Sequence, residues 1–175
     1  MKVKVEITEI LQKTIELDAD NYVTTNYELF LPQKYSMEIR QLKNSLIYRC
    51  RSLKNDNRLV TFWNIHGDTE DAKKIILGLS DYCRYVADID EYLNRSEKGC
   101  LQSWIDLIFN TEVHILGLAM GYEEIDLWNV LTTRKRKRRR KTSECQNEIY
   151  YYAIHDESFD PGKKELLNAL DVNVI

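Results

Sequence analysis

Val23-Thr24-Thr25-Asn26-Tyr27-Glu28 and Phe62-Trp63-Asn64-Ile65-His66-Gly67-Asp68 decide how this chain is read. Each is a short apolar run that stops abruptly at residues capable of chemistry. One strand ending in Thr-Thr-Asn and another ending in His-Gly-Asp would deliver an amide and an imidazole to one edge of a sheet. In open parallel α/β sheets, the edge at the strand C-termini is where ligands bind.

The flanking sequence supplies the elements such a sheet needs. Ile7, Ile10, Leu11, Thr14, Ile15 and Leu17 lie near helical spacing and predict a helix over 5–17, although Val3 and Val5 alternate with lysines and could begin a strand. Asp18-Ala19-Asp20-Asn21 then punctuates, and Tyr22 to Thr25 reads as a short buried strand. Leu46 to Leu53 and Arg58 to Ile65 are rich in β-branched and aromatic residues, and Lys54-Asn55-Asp56-Asn57 separates them. Asn and Asp tolerate positive φ, so this pair predicts a β-hairpin. Tyr82, Tyr85, Val86, Ile89 and Leu93 predict a helix over Asp81 to Asn94 with Ser80 as its N-cap.

A second helix fits Leu101 to Phe109. Val113 to Met120, broken by Gly117, has the pattern of a parallel strand covered on both faces. Ile125, Leu127, Trp128, Val130 and Leu131 predict a helix that runs into a basic block without a breaker. Ile149 to Ile154, Lys163 to Leu170 and Val172 to Ile175 repeat the strand, helix, strand order. Alternation of this kind implies βαβ units and a parallel sheet flanked by helices. With no internal repeat and no Pro- or Ser-rich linker, residues 1–175 are expected to form one α/β domain carrying the hairpin as an insertion.

Composition narrows the function. A chain of 175 residues, 43% hydrophobic and 30% charged, can bury a substantial core. It has no run of about 18 apolar residues, which excludes a membrane-spanning helix. Its start, Met-Lys-Val-Lys-Val-Glu, lacks the apolar core of a secretory signal, so a cytoplasmic location is expected. Cys50, Cys83, Cys100 and Cys145 are scattered and never form Cys-x-x-Cys, which argues against a zinc ribbon and a disulfide scaffold.

Net charge is −3, but Arg134 to Lys141 holds eight of the 25 basic residues; taking those eight away leaves 17 against 28 acidic ones. Such a block is most often a solvated helix face or loop. It can also contact nucleic acid through counterion release, or pair with acidic surface on a neighbouring subunit.

Among single residues, Asn26 can hold a water or a ribose hydroxyl, or it can satisfy backbone groups at a turn. His66 precedes Gly67, whose missing side chain allows close approach of a ligand or of backbone. An imidazole titrates near neutrality and suits a general base, although a structural role is also open. His114 lies in an apolar strand and reads as structural. Glu123, Glu124 and Asp126 suit the dipole of the helix after Gly121 better than they suit a phosphate.

Together these motifs carry a family resemblance. Thr24-Thr25-Asn26-Tyr27-Glu28 resembles the Thr-Gln-Asn-Ile-Asp segment of sirtuins, and still more the Thr-Thr-Asn-Tyr-Asp form of bacterial sirtuin-like proteins. Ile65-His66-Gly67 resembles the His-Gly that carries the sirtuin catalytic histidine. Ile76-Leu77-Gly78 through Tyr82, and Val113 to Leu118 through Asp126-Leu127-Trp128, resemble later segments of the same group. The related abortive-infection H proteins share a similar tail, and the resemblance runs from residue 20 to residue 175.

It implies a Rossmann-like, mostly parallel sheet that binds NAD or ADP-ribose and breaks the nicotinamide–ribose bond. His66 would then be the base and Asn26 would position water and ribose. Thr24, Thr25, Glu28, Gly67 and Gly117 would contact the dinucleotide, with Glu28 standing where the family usually has Asp. Many bacterial relatives deplete NAD in anti-phage defence, often as oligomers.

This chain departs from the family in three places. No glycine precedes Gly67, whereas the family's Gly-rich phosphate loop should precede the Asn segment. No zinc ribbon is present, which counts against protein deacylation. Gly117-Leu118-Ala119 lacks the hydroxyl residue sirtuins place there. The resemblance therefore implies either a compact hydrolase or a non-catalytic nucleotide-binding or assembly subunit, with a second protomer or a partner chain supplying the loop.

Overall fold

The computed structural model describes residues 13, 16–29, 32, 38–40, 49–55, 58–94, 103–140, 145–153 and 160–175. Most of the helix expected over 5–17 lies outside these residues, as do residues 46–48, 56–57, 101–102, 141 and 154 of the other expected elements. The fold is mixed α/β with parallel strands, and the chain divides into two compact units, Met1–Leu77 and Gly78–Ile175.

The first unit holds a sheet of β1 (Asn21–Thr24), β2 (Glu38–Arg40), β3 (Arg49–Asn55) and β4 (Arg58–Asn64), in the order β1-β4-β3-β2. β3 and β4 pair antiparallel with Asn55 opposite Arg58. β4 lies between β3 and β1, so both its edges are paired, and Thr61, Phe62, Trp63 and Asn64 are all buried.

β1 runs parallel to β4, with Tyr22 opposite Phe62 and Thr24 opposite Asn64. The opposed rings of Tyr22 and Phe62 stack at 6.3 Å. Trp63 Nε1 donates to Asn21 Oδ1 at 3.2 Å. β1 is not the buried strand its apolar run suggested. It ends the sheet, and Val23 is 41% exposed.

The second unit holds the βαβ alternation. β5 (Val113–Ile115), β6 (Ile149–Tyr151) and β7 (Asn173–Val174) form an all-parallel sheet in that order. Helix α1 (Leu79–Asn94) buries Tyr85, Ile89 and Leu93, one residue per turn along a single stripe. Its N-cap is Gly78, one position before Leu79: the Asp81 and Tyr82 amides donate to Gly78 O. Ser80 therefore sits inside the first turn rather than at the cap.

Helix α2 (Trp104–Asn110) starts at Ser103, whose hydroxyl accepts from the Ile105 amide while Asp106 reaches back to the Ser103 amide. This is the reciprocal capping arrangement of a Ser-x-x-acid start. Trp104, Ile105, Leu107, Ile108 and Phe109 are all buried, each worth about 1.5–3 kcal/mol. Helices α3 (Ile125–Arg139) and α4 (Pro161–Ala169) supply the two crossovers of the sheet.

The run from Val113 to Met120 is not one covered strand. β5 stops at Ile115, His114 is exposed, and the chain turns at Gly117 (φ +64°) and Met120 (φ +49°). Among the described residues, no helix is long and apolar enough to cross a membrane.

Candidate functional site

The parallel pairing of β1 and β4 sets their C-terminal ends side by side, so the segments that follow, 25–29 and 65–71, start from one edge. Four hydrogen bonds knit the two segments together. The Ile65 amide donates to Thr24 O at 3.0 Å, and the Thr69 amide to Tyr27 O at 3.1 Å. Asn64 Nδ2 donates to Asn26 O at 3.0 Å and to Glu28 O at 3.3 Å. Thr24 Oγ1 accepts from the Asn26 amide at 3.1 Å, a local turn of the kind Thr favours, and Tyr27 Oη donates to Ile76 O at 2.7 Å. Asn26 and Glu28 are exposed, whereas Thr24 and Thr25 are half-buried.

His66 is buried, and its carbonyl accepts from the Ile76 amide at 3.0 Å. Gly67 follows at φ +88°, where a Cβ would lie 2.4 Å from Lys74 O. Of the two uses open to this glycine, the structure displays close approach of backbone. Asp68 is wholly buried: its Oδ2 pairs with Arg51 Nη1 at 2.8 Å and its Oδ1 accepts from the Glu70 amide at 2.9 Å. Arg51, projecting from β3, also reaches Glu70 Oε2 at 2.8 Å. The loop after His66 is thus anchored to the hairpin by a guanidinium shared between two carboxylates.

Asn26, Thr24, Thr25, Glu28, His66 and Gly67 therefore belong to one sheet edge of the first unit. Gly117 belongs to the second unit. Its loop is shaped by side chains that take up three of its carbonyls: Tyr151 Oη donates to Leu118 O at 2.8 Å, Lys163 Nζ to Ala119 O at 2.7 Å, and Trp128 Nε1 to Gly121 O at 2.9 Å. His114 is not a core histidine. It stacks on Tyr150 (5.2 Å) and Tyr152 (5.8 Å) on an exposed sheet face and bridges Glu112 Oε1 to Tyr152 Oη.

Reading the motifs left Asn64 and Arg51 without a role. A signal was available for Asn64, since it is the polar residue inside the apolar run Val60 to Ile65. For Arg51 there was none, because its partners lie 17 and 19 residues away.

The basic block is continuous with α3, and its inner half is committed within the unit. Arg134 is fully buried, donating to Asn147 Oδ1 at 3.3 Å, to Asn147 O, and to Asp171 O at 3.4 Å. Burial, and then neighbouring Arg138, lower its pKa from the ordinary arginine value. Lys135 pairs with Asp171, Arg138 with Glu148 at 3.2 Å, and Lys137 lies over the Phe109 ring at 5.2 Å. Arg136, Arg139 and Arg140 are exposed.

A family model described as SIR2-like domain matches residues 20–175, spanning both units. No curated protein matches the chain.

Proposed function

The chain belongs to the SIR2-like domain family, and from that premise we propose that it binds NAD and hydrolyses its nicotinamide–ribose bond, yielding nicotinamide and ADP-ribose. The observation that carries this reading is the parallel β1–β4 pair, which ends in the Asn26 segment on one strand and His66 on the other. The donor set suits a ligand rich in hydroxyls. The exposed Asn26 amide can both donate and accept.

When bound, the dinucleotide supplies a cationic pyridinium as leaving group. Asn26 holds the attacking water and the ribose in line. His66 takes the proton that water gives up as its oxygen bonds to the ribose carbon and the glycosidic bond breaks. Thr24, Thr25, Glu28 and Gly67 contact the dinucleotide in this account. The match over residues 20–175 runs through both units and supports reading that stretch as one domain. Anti-phage NAD depletion by a cytoplasmic oligomer is the setting the family suggests.

The second reading is a non-catalytic nucleotide-binding or assembly subunit, favoured by the burial of His66, which is only 2% exposed. Thermal shift with NAD and ADP-ribose, followed by chromatography of the nucleotide, separates the two. A hydrolase converts NAD, while a binder is stabilised and leaves it intact. A nucleic-acid contact through the basic block would fall to Arg136, Arg139 and Arg140 among the described residues.

A further inference from the structure

Asn64 is the last residue of β4 and is 1% exposed. Both protons of its amide have acceptors, Asn26 O and Glu28 O, so the side chain pins the peptide planes that follow Asn26 and Glu28. Main-chain amides of Ile65 and Thr69 hold Thr24 O and Tyr27 O. Asn64 completes the set, and the carbonyls of Thr24, Asn26, Tyr27 and Glu28 are all engaged by β4 and the loop that follows it.

Stability alone does not account for an amide here. Among the described residues nothing donates to its buried Oδ1, a rare state in folded proteins. Leaving such an acceptor unsatisfied costs about what one or two hydrogen bonds return, so the net gain from the two clamps is small. What the side chain does supply is geometry. It stands two residues before His66 and holds the main chain of Asn26 from the same strand.

The geometry points to Asn64 as the positioning residue that sets Asn26 against His66. Its catalytic consequence rests on the hydrolase reading; the clamp itself does not.

The test uses the full chain with Asn64→Asp, which keeps the shape but turns the donor into an acceptor, and Asn64→Ala, which removes the amide without adding charge. Nicotinamide release from NAD, KM, thermal midpoint and amide hydrogen exchange are measured for each. A misplaced reacting group costs about a hundredfold, so kcat should fall about 10- to 100-fold with KM nearly constant. Exchange should accelerate over residues 24–28 and at Thr69 while the β3–β4 amides stay protected.

Unchanged kcat, or exchange that accelerates evenly across the first unit, overturns the assignment. If the wild-type chain releases no nicotinamide, the hydrolase reading fails. Exchange then decides the clamp alone: local acceleration sustains it, and its absence overturns it.

Discussion

Arg51 and Asp68 form an ion pair of 2.8 Å from which water is almost wholly excluded, the two side chains being 3% and 0% exposed. Such a pair fixes geometry more than it adds stability, because desolvation offsets most of the attraction. Removing one partner is another matter. Asp68→Ala leaves a buried guanidinium held by Glu70 alone, itself 46% exposed. Denaturant unfolding should show a loss of about 3 kcal/mol, the low end for a broken buried pair. A loss below about 1 kcal/mol would mean the pair is solvated.

The two left-handed glycines should respond differently to alanine. Gly117 (φ +64°) has nothing within 4 Å of an added Cβ, so Gly117→Ala should cost only the left-handed strain, about 1 kcal/mol. Gly67 (φ +88°) carries the same strain plus a 2.4 Å collision with Lys74 O, and Gly67→Ala should cost well over about 2 kcal/mol. Equal losses in chemical denaturation would contradict the tight return of the loop after His66.

Within the basic block, cost should track burial rather than charge. Arg134→Ala takes a donor from the carbonyls of Asn147 and Asp171 and empties a buried site, for a loss of about 3 kcal/mol. Arg136→Ala and Arg139→Ala should stay within about 0.5 kcal/mol. If the chain binds nucleic acid through its three exposed arginines, the slope of log affinity on log salt should not exceed about 2.7. A steeper slope would show that other cations take part.

Two groups shape the pH dependence of the second unit. Asn173 and Arg138 hydrogen-bond Glu148 and hold its carboxyl below the ordinary 4.5. A depressed carboxyl stabilises the fold above its unfolded pKa, and that contribution is lost as pH falls through the folded value. Burial pushes Tyr151 above the ordinary 10, so its contribution is intact below 10 and is lost as pH climbs past it. Melting temperature against pH should bend at both ends. Glu148→Gln should flatten the acid limb and Tyr151→Phe the alkaline one. Limbs that do not respond would assign the bends to other groups.

The parts of the fold that rest on local periodicity are legible in the residues. Tyr85, Ile89 and Leu93 give α1, the Asn-rich break gives the β3–β4 pair, and α3 runs on through its arginines. Failures occurred where tertiary packing decides. Apolar runs do not reveal which strand ends a sheet, so Val23 and His114 were expected inside and lie exposed. Nor does a run of cations reveal that Arg134 turns inward to Asn147. At the candidate site, Asn26 and His66 were visible as polar ends of apolar runs, whereas Arg51 was set by pairing over sequence distance.

The most direct test of the central claim is nicotinamide release from NAD by the purified chain, with His66→Ala and Asn26→Ala alongside. The account predicts release by the wild-type protein and its loss in both variants while each still unfolds cooperatively. Turnover by His66→Ala equal to wild type would contradict it.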